Sequence, residues 1–142
     1  MNTSTCLEKQ QRIKELFSTC KSKEETYEKI IALGKKNPKL ADEYKNAENL
    51  VSGCQSTMYL RSWEEDGRIY FAGESDALIS SGLAVLLIEV YSGEPPETII
   101  KCPPDYLDEL NISGSLTPNR ASGLYSIHLR MKQEALKHLI KQ

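Results

Sequence analysis

The 142-residue chain predicts an α+β domain, a small antiparallel β-sheet packed on helices. Three observations predict it. Apolar residues recur at helical spacing from Leu7 to Gly34. The period then switches to two between Ser56 and Ala72, around an Asp66-Gly67 turn signal. It returns to a helical pattern that is apolar nearly all round from Ala77 to Tyr91.

The first helix is expected over Leu7 to Cys20, with Ile13, Leu16, Phe17 and Cys20 on its inner face. Ser22 starts a second helix. With Glu25 three residues on it forms a capping box, in which each side chain satisfies a free backbone N–H. Tyr27, Ile30, Ile31 and Gly34 form its buried stripe, and Asn37-Pro38 ends it. Pro38 to Asn49 is polar, with Leu40, Ala41 and Tyr44 as anchors, and reads as a short helical turn plus loop. Ser56 to Trp63 alternates, with Met58 and Leu60 on one face and Tyr59, Arg61 and Trp63 on the other. Asp66-Gly67 turns the chain into a returning strand, Arg68 to Ala72. A lone hairpin is unstable in water, so it needs helices against it or a third strand, for which Asn49 to Ser52 is a candidate.

Ala77 to Tyr91 is expected to be the central buried helix, capped by Ser75 and favoured at its positive end by Asp76. Gly82 weakens that helix unless a close contact needs a small residue there. Gly93 stops it. Pro95-Pro96-Glu97 opens a short turn of helix, and Asp105 to Leu110 forms another. The segment Leu116 to Leu124 runs into a last helix to about Ile140. Leu124, Ile127, His128, Met131, Ala135 and Leu139 make its inner face. No repeat or linker divides the chain, so residues 1–142 are expected to be a single domain.

Eighteen basic and twenty acidic side chains give a net charge of −2, which supplies no field for nucleic acid or an anionic membrane. The longest strictly apolar run, Leu83 to Ile88, is far too short to span a bilayer. The N-terminal stretch lacks the apolar core of a signal peptide, so a cytoplasmic location is expected, where the four cysteines stay reduced.

Few residues offer chemistry. His128 and His138 lie ten residues apart on one helix, about 15 Å along its axis, and cannot share a metal. No phosphate-binding glycine pattern and no Ser-His-Asp arrangement stands out. No metal site is expected. The cysteines follow no CxxC spacing. Cys20 falls on a buried stripe, Cys6 in a fraying terminus, and Cys102 in a turn before Pro103-Pro104. Cys54 differs: it follows Gly53 in a polar loop ahead of a strand, where a rigid scaffold presents reactive groups. A free cysteine is most often a small buried hydrophobe, and the local pattern alone leans slightly that way.

Three separated segments shift that balance: Val51-Ser52-Gly53-Cys54-Gln55-Ser56, then Gly73-Glu74-Ser75-Asp76-Ala77 with the helix through Gly82-Leu83-Ala84-Val85, then Leu116-Thr117-Pro118-Asn119-Arg120-Ala121-Ser122-Gly123-Leu124. Taken together, in order and separation, they make the chain resemble the SufE family of cysteine desulfuration proteins. Met58 and Tyr59 stand where that pattern usually has valine and tryptophan, which bears on the size of a thiol pocket. The resemblance implies an α+β sandwich like that of the IscU-type scaffolds. It implies that Cys54 accepts sulfane sulfur as a persulfide from a cysteine desulfurase, stimulates that enzyme, and passes the sulfur to an iron–sulfur scaffold protein. The chain would then be a sulfur-transfer partner rather than a stand-alone enzyme. Pyridoxal phosphate belongs to the desulfurase, so no cofactor is expected here; monomer and homodimer both remain open.

Gly53 and Gln55 flank the thiol, with Gly53 as a pivot for a loop that shields a labile persulfide at rest. Arg120 is the candidate cation near Cys54 or at a partner surface, against a plain first-turn arginine. Asp76 is expected to fix a loop or contact the partner, against a plain helix cap. The alternative function is a binding module that regulates a desulfurase or scaffold without carrying sulfur. A thiol redox sensor is a third reading, weakened by the lack of a resolving cysteine.

Overall fold

The computed structural model describes residues 3–141. Among these, six helices and one hairpin follow in the order α1 (Ser4–Phe17), α2 (Lys23–Lys36), β1 (Met58–Glu65), β2 (Arg68–Ser75), α3 (Leu78–Tyr91), α4 (Pro96–Lys101), α5 (Asp105–Glu109) and α6 (Pro118–Lys141). Short 3₁₀ turns at Asp42–Tyr44 and Ala47–Asn49 fill the stretch between α2 and the Cys54 loop.

Helix α3 is the centre, packed against α1, α2, α6 and strand β2. Its low amphipathicity follows: Ile79, Leu83, Leu86, Leu87, Val90 and Tyr91 are all buried, on several sides of the helix. Gly82 is there for contact. A Cβ at Gly82 would collide with the Ile30 carbonyl, and one at Gly34 with the Leu78 carbonyl, so two glycines let the α2 and α3 backbones cross closely. The capping box of α2 is present in part. Ser22 Oγ accepts from the Glu25 N–H at 3.1 Å, while the Glu25 carboxylate accepts from Lys21 N–H rather than from Ser22.

The strands pair antiparallel from Met58–Ser75 to Glu65–Arg68, through a turn in which Asp66 (φ 52°) and Gly67 (φ 79°) are both left-handed. Met58, Leu60, Ile69 and Phe71 face the helices and are buried. On the other face Arg61 stacks over Tyr44 at 3.8 Å and Trp63 at 4.3 Å, and Trp63 stacks on Tyr70 at 5.9 Å. The hairpin is held by the helices. The expected third strand is reduced to one bridge, Leu50–Tyr59, because the chain turns away at Gly53, where φ is +87°. Strand β2 also outruns its expected end at Ala72, reaching Ser75.

That extension changes the start of α3. Ala77, not Ser75, is at the N-cap position, and Ser81 Oγ accepts from the Ser75 N–H at 2.9 Å. The N-terminus differs too. Cys6 is fully buried rather than frayed, because Thr5 Oγ1 donates to Glu94 Oε1 at 2.9 Å and Lys9 Nζ pairs with Glu94 Oε2 at 2.6 Å. Helix α1 ends at Phe17 and buries Cys6, Gln10, Ile13 and Phe17; Leu16 lies off that stripe and is exposed, and Cys20 is half-buried in the link beyond.

Candidate functional site

The loop between Val51 and Met58 is tied at its base, where Val51 N–H donates to the Met58 carbonyl at 2.9 Å. Above that base it leans on α6 and α3 through side chains. Gly53 takes a left-handed φ of +87°, and a Cβ there would press against Ser126 Oγ; only glycine meets both demands without strain. Ser126 Oγ in turn donates to the Gly53 carbonyl at 3.4 Å. Arg120, in the first turn of α6, donates through Nη1 to Ser56 Oγ and to Ser80 Oγ, both at 2.6 Å. One guanidinium thus pins the loop to α3. Arg120 is held in place by its own helix start, where Thr117 Oγ1 accepts from the Arg120 N–H at 3.4 Å.

Cys54 points into the seam this creates. Its Sγ lies 3.9 Å from the Gly123 carbonyl oxygen, a long, weak S–H contact. Met58, Leu83 and Ile127 close the apolar side, and Arg120, Ser80, Asn119 and Gln55 close the polar side. The cleft holds about 10 Å³ of free space, on the order of one water-sized group. Gly123 keeps that space open, since a Cβ there would sit against the thiol, 3.8 Å from Sγ. Burial pushes the Cys54 thiol above its ordinary pKa. At neutral pH the resting sulfur is therefore the protonated thiol, a poor nucleophile, and it becomes a thiolate only when its surroundings change.

Of the five residues singled out from sequence, the structure brings four together: Gly53, Cys54, Gln55 and Arg120. Arg120 contacts serine hydroxyls and acts on the loop's position. Asp76 stands apart. It is exposed beside Lys45, Thr57, Tyr59, Glu74 and Ser75 in a separate open cleft of about 270 Å³. Tyr59 also faces that cleft, so of the two departures from the family pattern only Met58 touches the thiol pocket. Ser80, Ser126, Gly123 and Ile127 are site residues that the sequence does not mark as such. Gly123 lies inside the third matching segment, and Ser80-Ser81 is a visible polar pair in an otherwise apolar helix, but nothing local ties either to Cys54.

The other cysteines sit elsewhere. Cys6 and Cys102 are buried close to each other, and Gln10 Nε2 donates to Cys102 Sγ at 3.4 Å. Burial raises the pKa of both thiols, that of Cys6 far above its ordinary value. His128 is buried in the core against Tyr91, ring centroids 5.2 Å apart, and its Nε2 has no partner. Among the described residues no group of three or more His, Cys, Asp or Glu side chains could hold a metal ion. Nor is any helix among them long and apolar enough to cross a membrane.

Comparison with known proteins agrees with this picture. A family model described as SufE, an Fe-S metabolism associated domain, matches residues 11–135. An uncharacterized SufE-like protein of Synechocystis is 35% identical over 131 residues, covering 92% of this chain and 82% of its own. The SufE-like protein 1 of Arabidopsis thaliana, described as chloroplastic/mitochondrial, is 32% identical over 134 residues. That match takes in 94% of this chain but only 36% of the plant protein. A hypothetical protein of Thermus thermophilus, solved in solution, shares the fold with a TM-score of 0.74 at 23% identity, over 93% of this chain and 96% of the other.

Proposed function

The chain belongs to the SufE family, which places it in iron–sulfur metabolism, and from that premise we propose that Cys54 is a persulfide carrier loaded by a cysteine desulfurase. The observation that carries this reading is the seat of the thiol. It is half-buried in a one-atom cleft, on a loop that side chains rather than a strand hold against the body.

Sulfur transfer begins with the Cys54 thiolate attacking the terminal sulfur of the donor's persulfide. A new S–S bond forms at Cys54, the donor's S–S bond breaks, and the donor cysteine leaves as a thiolate that can take up the proton Cys54 gave away. Before docking, burial keeps Cys54 protonated and so protects the empty thiol from stray oxidants. Docking that lifts the loop from the cleft returns the thiol towards its ordinary pKa and brings it within reach. After transfer, the cleft has room for one added sulfur atom, lined by Met58, Leu83 and Ile127, where a solvent thiol reaches it poorly. Gly53 is the pivot, and Ser126 and Arg120 are the two ties that must open. The persulfide then goes to an iron–sulfur scaffold protein by the same exchange. Pyridoxal phosphate stays with the desulfurase, and a cytoplasmic setting belongs to this proposal too.

The test is desulfurase turnover with free cysteine as substrate. Wild-type protein is expected to accelerate it, and Cys54→Ser to remove the acceleration while still binding the enzyme. Full acceleration by Cys54→Ser would instead make the chain a regulatory module that carries no sulfur.

A further inference from the structure

Helix α6 carries two apolar stripes, and the fold uses only one. Leu124, Ile127, Met131 and Ala135 are buried against α3 and α4. Tyr125, Leu129, Leu136 and Ile140 point outward, 45, 53, 51 and 76% exposed. At a period of 3.6 residues these four fall within an arc of about 60° and extend about 22 Å along the axis. Single exposed apolar residues are ordinary, but four of them aligned on one helix face mark an interaction surface.

Two further observations say what fits there. The first is charge. Residues 118–141 hold five basic side chains against one acidic, whereas the other 118 residues hold thirteen against nineteen. The single acid, Glu134, is already paired with Arg130 at 3.0 Å and Lys137 at 3.3 Å. Arg120 is turned inward to Ser56 and Ser80, so the cations beside the outward stripe are Lys132 and Lys137, on a protein that is acidic elsewhere. The second is position. Leu129 lies in a groove of about 230 Å³ that Ser126, Arg130 and Gln133 share with Val51 and Ser52 of the Cys54 loop. Arg130 Nη1 donates to the Leu50 carbonyl at 2.8 Å, which holds the half-exposed Leu50 beside that groove. The stripe therefore ends at the base of the Cys54 loop, next to the Ser126–Gly53 tie.

We propose that this outward face of α6 docks an amphipathic helix with an acidic rim on the cysteine desulfurase that loads Cys54. The inference rests on the sulfur-acceptor reading above. Apolar side chains of the incoming helix meet Leu129, Leu136 and Ile140, and its acids meet the rim of Lys132 and Lys137. A helix seated in the groove presses on Ser126 and so couples docking to release of the Cys54 loop. A phospholipid surface fits less well, because Ser122 interrupts the arc, Gln133 borders it, and it carries neither Trp nor Phe.

The test measures direct binding to the desulfurase by titration calorimetry, alongside turnover, for wild type, the pair Leu129→Glu/Leu136→Glu, the pair Lys132→Glu/Lys137→Glu, and Cys54→Ser. Both leucines are exposed, so the fold is expected to survive, with thermal melting as the control. The leucine pair is expected to raise Kd at least about tenfold and to lower the acceleration of the desulfurase with it. The lysine pair is expected to raise Kd and to flatten its dependence on salt. Unchanged Kd in the leucine pair overturns the proposal. So does a wild-type dimer in sedimentation that the leucine pair dissolves with Kd unmoved, or binding to phosphatidylglycerol vesicles with the same signature. Tight wild-type binding without acceleration sinks the sulfur-acceptor reading alone, and no binding at all sinks both.

Discussion

Two thiol environments in this molecule share the direction of their pKa shift and differ in how they are held. Cys54 and the Cys6–Cys102 pair are all pushed upward by burial. The pair is enclosed by α1, α4 and the chain between them, and the segments that hold it are fixed by Gln10, by Glu94 and by the Tyr91 hydroxyl, which donates to the Cys102 carbonyl at 2.7 Å. To expose those sulfurs the core must open. Cys54 is half-buried between its own loop and the facing sides of α3 and α6, and that loop rests on one arginine, one serine and a glycine pivot. The lesson is that a raised pKa by itself says nothing about function. What separates an inert cysteine from a carrier is how much of the structure has to move before the thiol is free.

The largest effect to expect from this contrast is in alkylation by a small reagent under native conditions. Local loop opening costs a few kcal/mol, whereas global unfolding costs roughly 5–15 kcal/mol, so Cys54 should react about a thousandfold faster than Cys6 or Cys102. Comparable rates measured by peptide mapping would erase the distinction. In denaturant all three should converge.

Next in size is the acid response of the core that holds α6. Burial takes the His128 pKa down to about 4, so the folded protein keeps it neutral while the unfolded chain protonates near 6.5. Its contribution is fully present above pH 6.5 and is lost as pH falls towards 4, by up to about 3 kcal/mol. His128→Leu should flatten the melting temperature over that range. A slope unchanged by that substitution would show that other groups set the acid limit.

The smallest effect tests the loop alone. Arg120→Ala removes both charged hydrogen bonds to Ser56 and Ser80, and a loss of about 1.4 kcal/mol of closure would raise the Cys54 alkylation rate about tenfold. Arg120→Lys, with a compact ammonium that lacks the planar fork, should fall between. Rates at Cys6 and Cys102 should not move in either variant. If they rise together with Cys54, Arg120 supports the whole fold and not the loop.

Much of this is legible in the sequence where the physics is local. The helical stripes apart from Leu16 and Tyr27, which are exposed, the Asp66-Gly67 turn and the buried character of α3 follow from side-chain period and turn chemistry over short spans. Gly82 is readable as a place needing close contact, though not that Gly34 stands opposite it. Cys54, Gly53 and Arg120 emerge as site residues from three segments taken together. What is not legible rests on contacts distant in sequence. Cys6 reads as part of a frayed end because the anchor of α1 is Glu94, 89 residues from Thr5. Ser126 and Ser80 escape notice because each meets the site across a tertiary contact, Ser126 with Gly53 and Ser80 with Arg120. The cap of α3 shifts because β2 runs on to Ser75 before the helix begins.

The central claim is that one of four cysteines carries sulfur because one loop can open. The direct measurement is peptide mapping by mass spectrometry after the native protein is incubated with a cysteine desulfurase and free cysteine. One added sulfur atom on the Cys54 peptide, with the Cys6, Cys20 and Cys102 peptides unmodified, is the predicted result. Sulfur on the half-buried Cys20, or on no cysteine while the desulfurase is still accelerated, would contradict it.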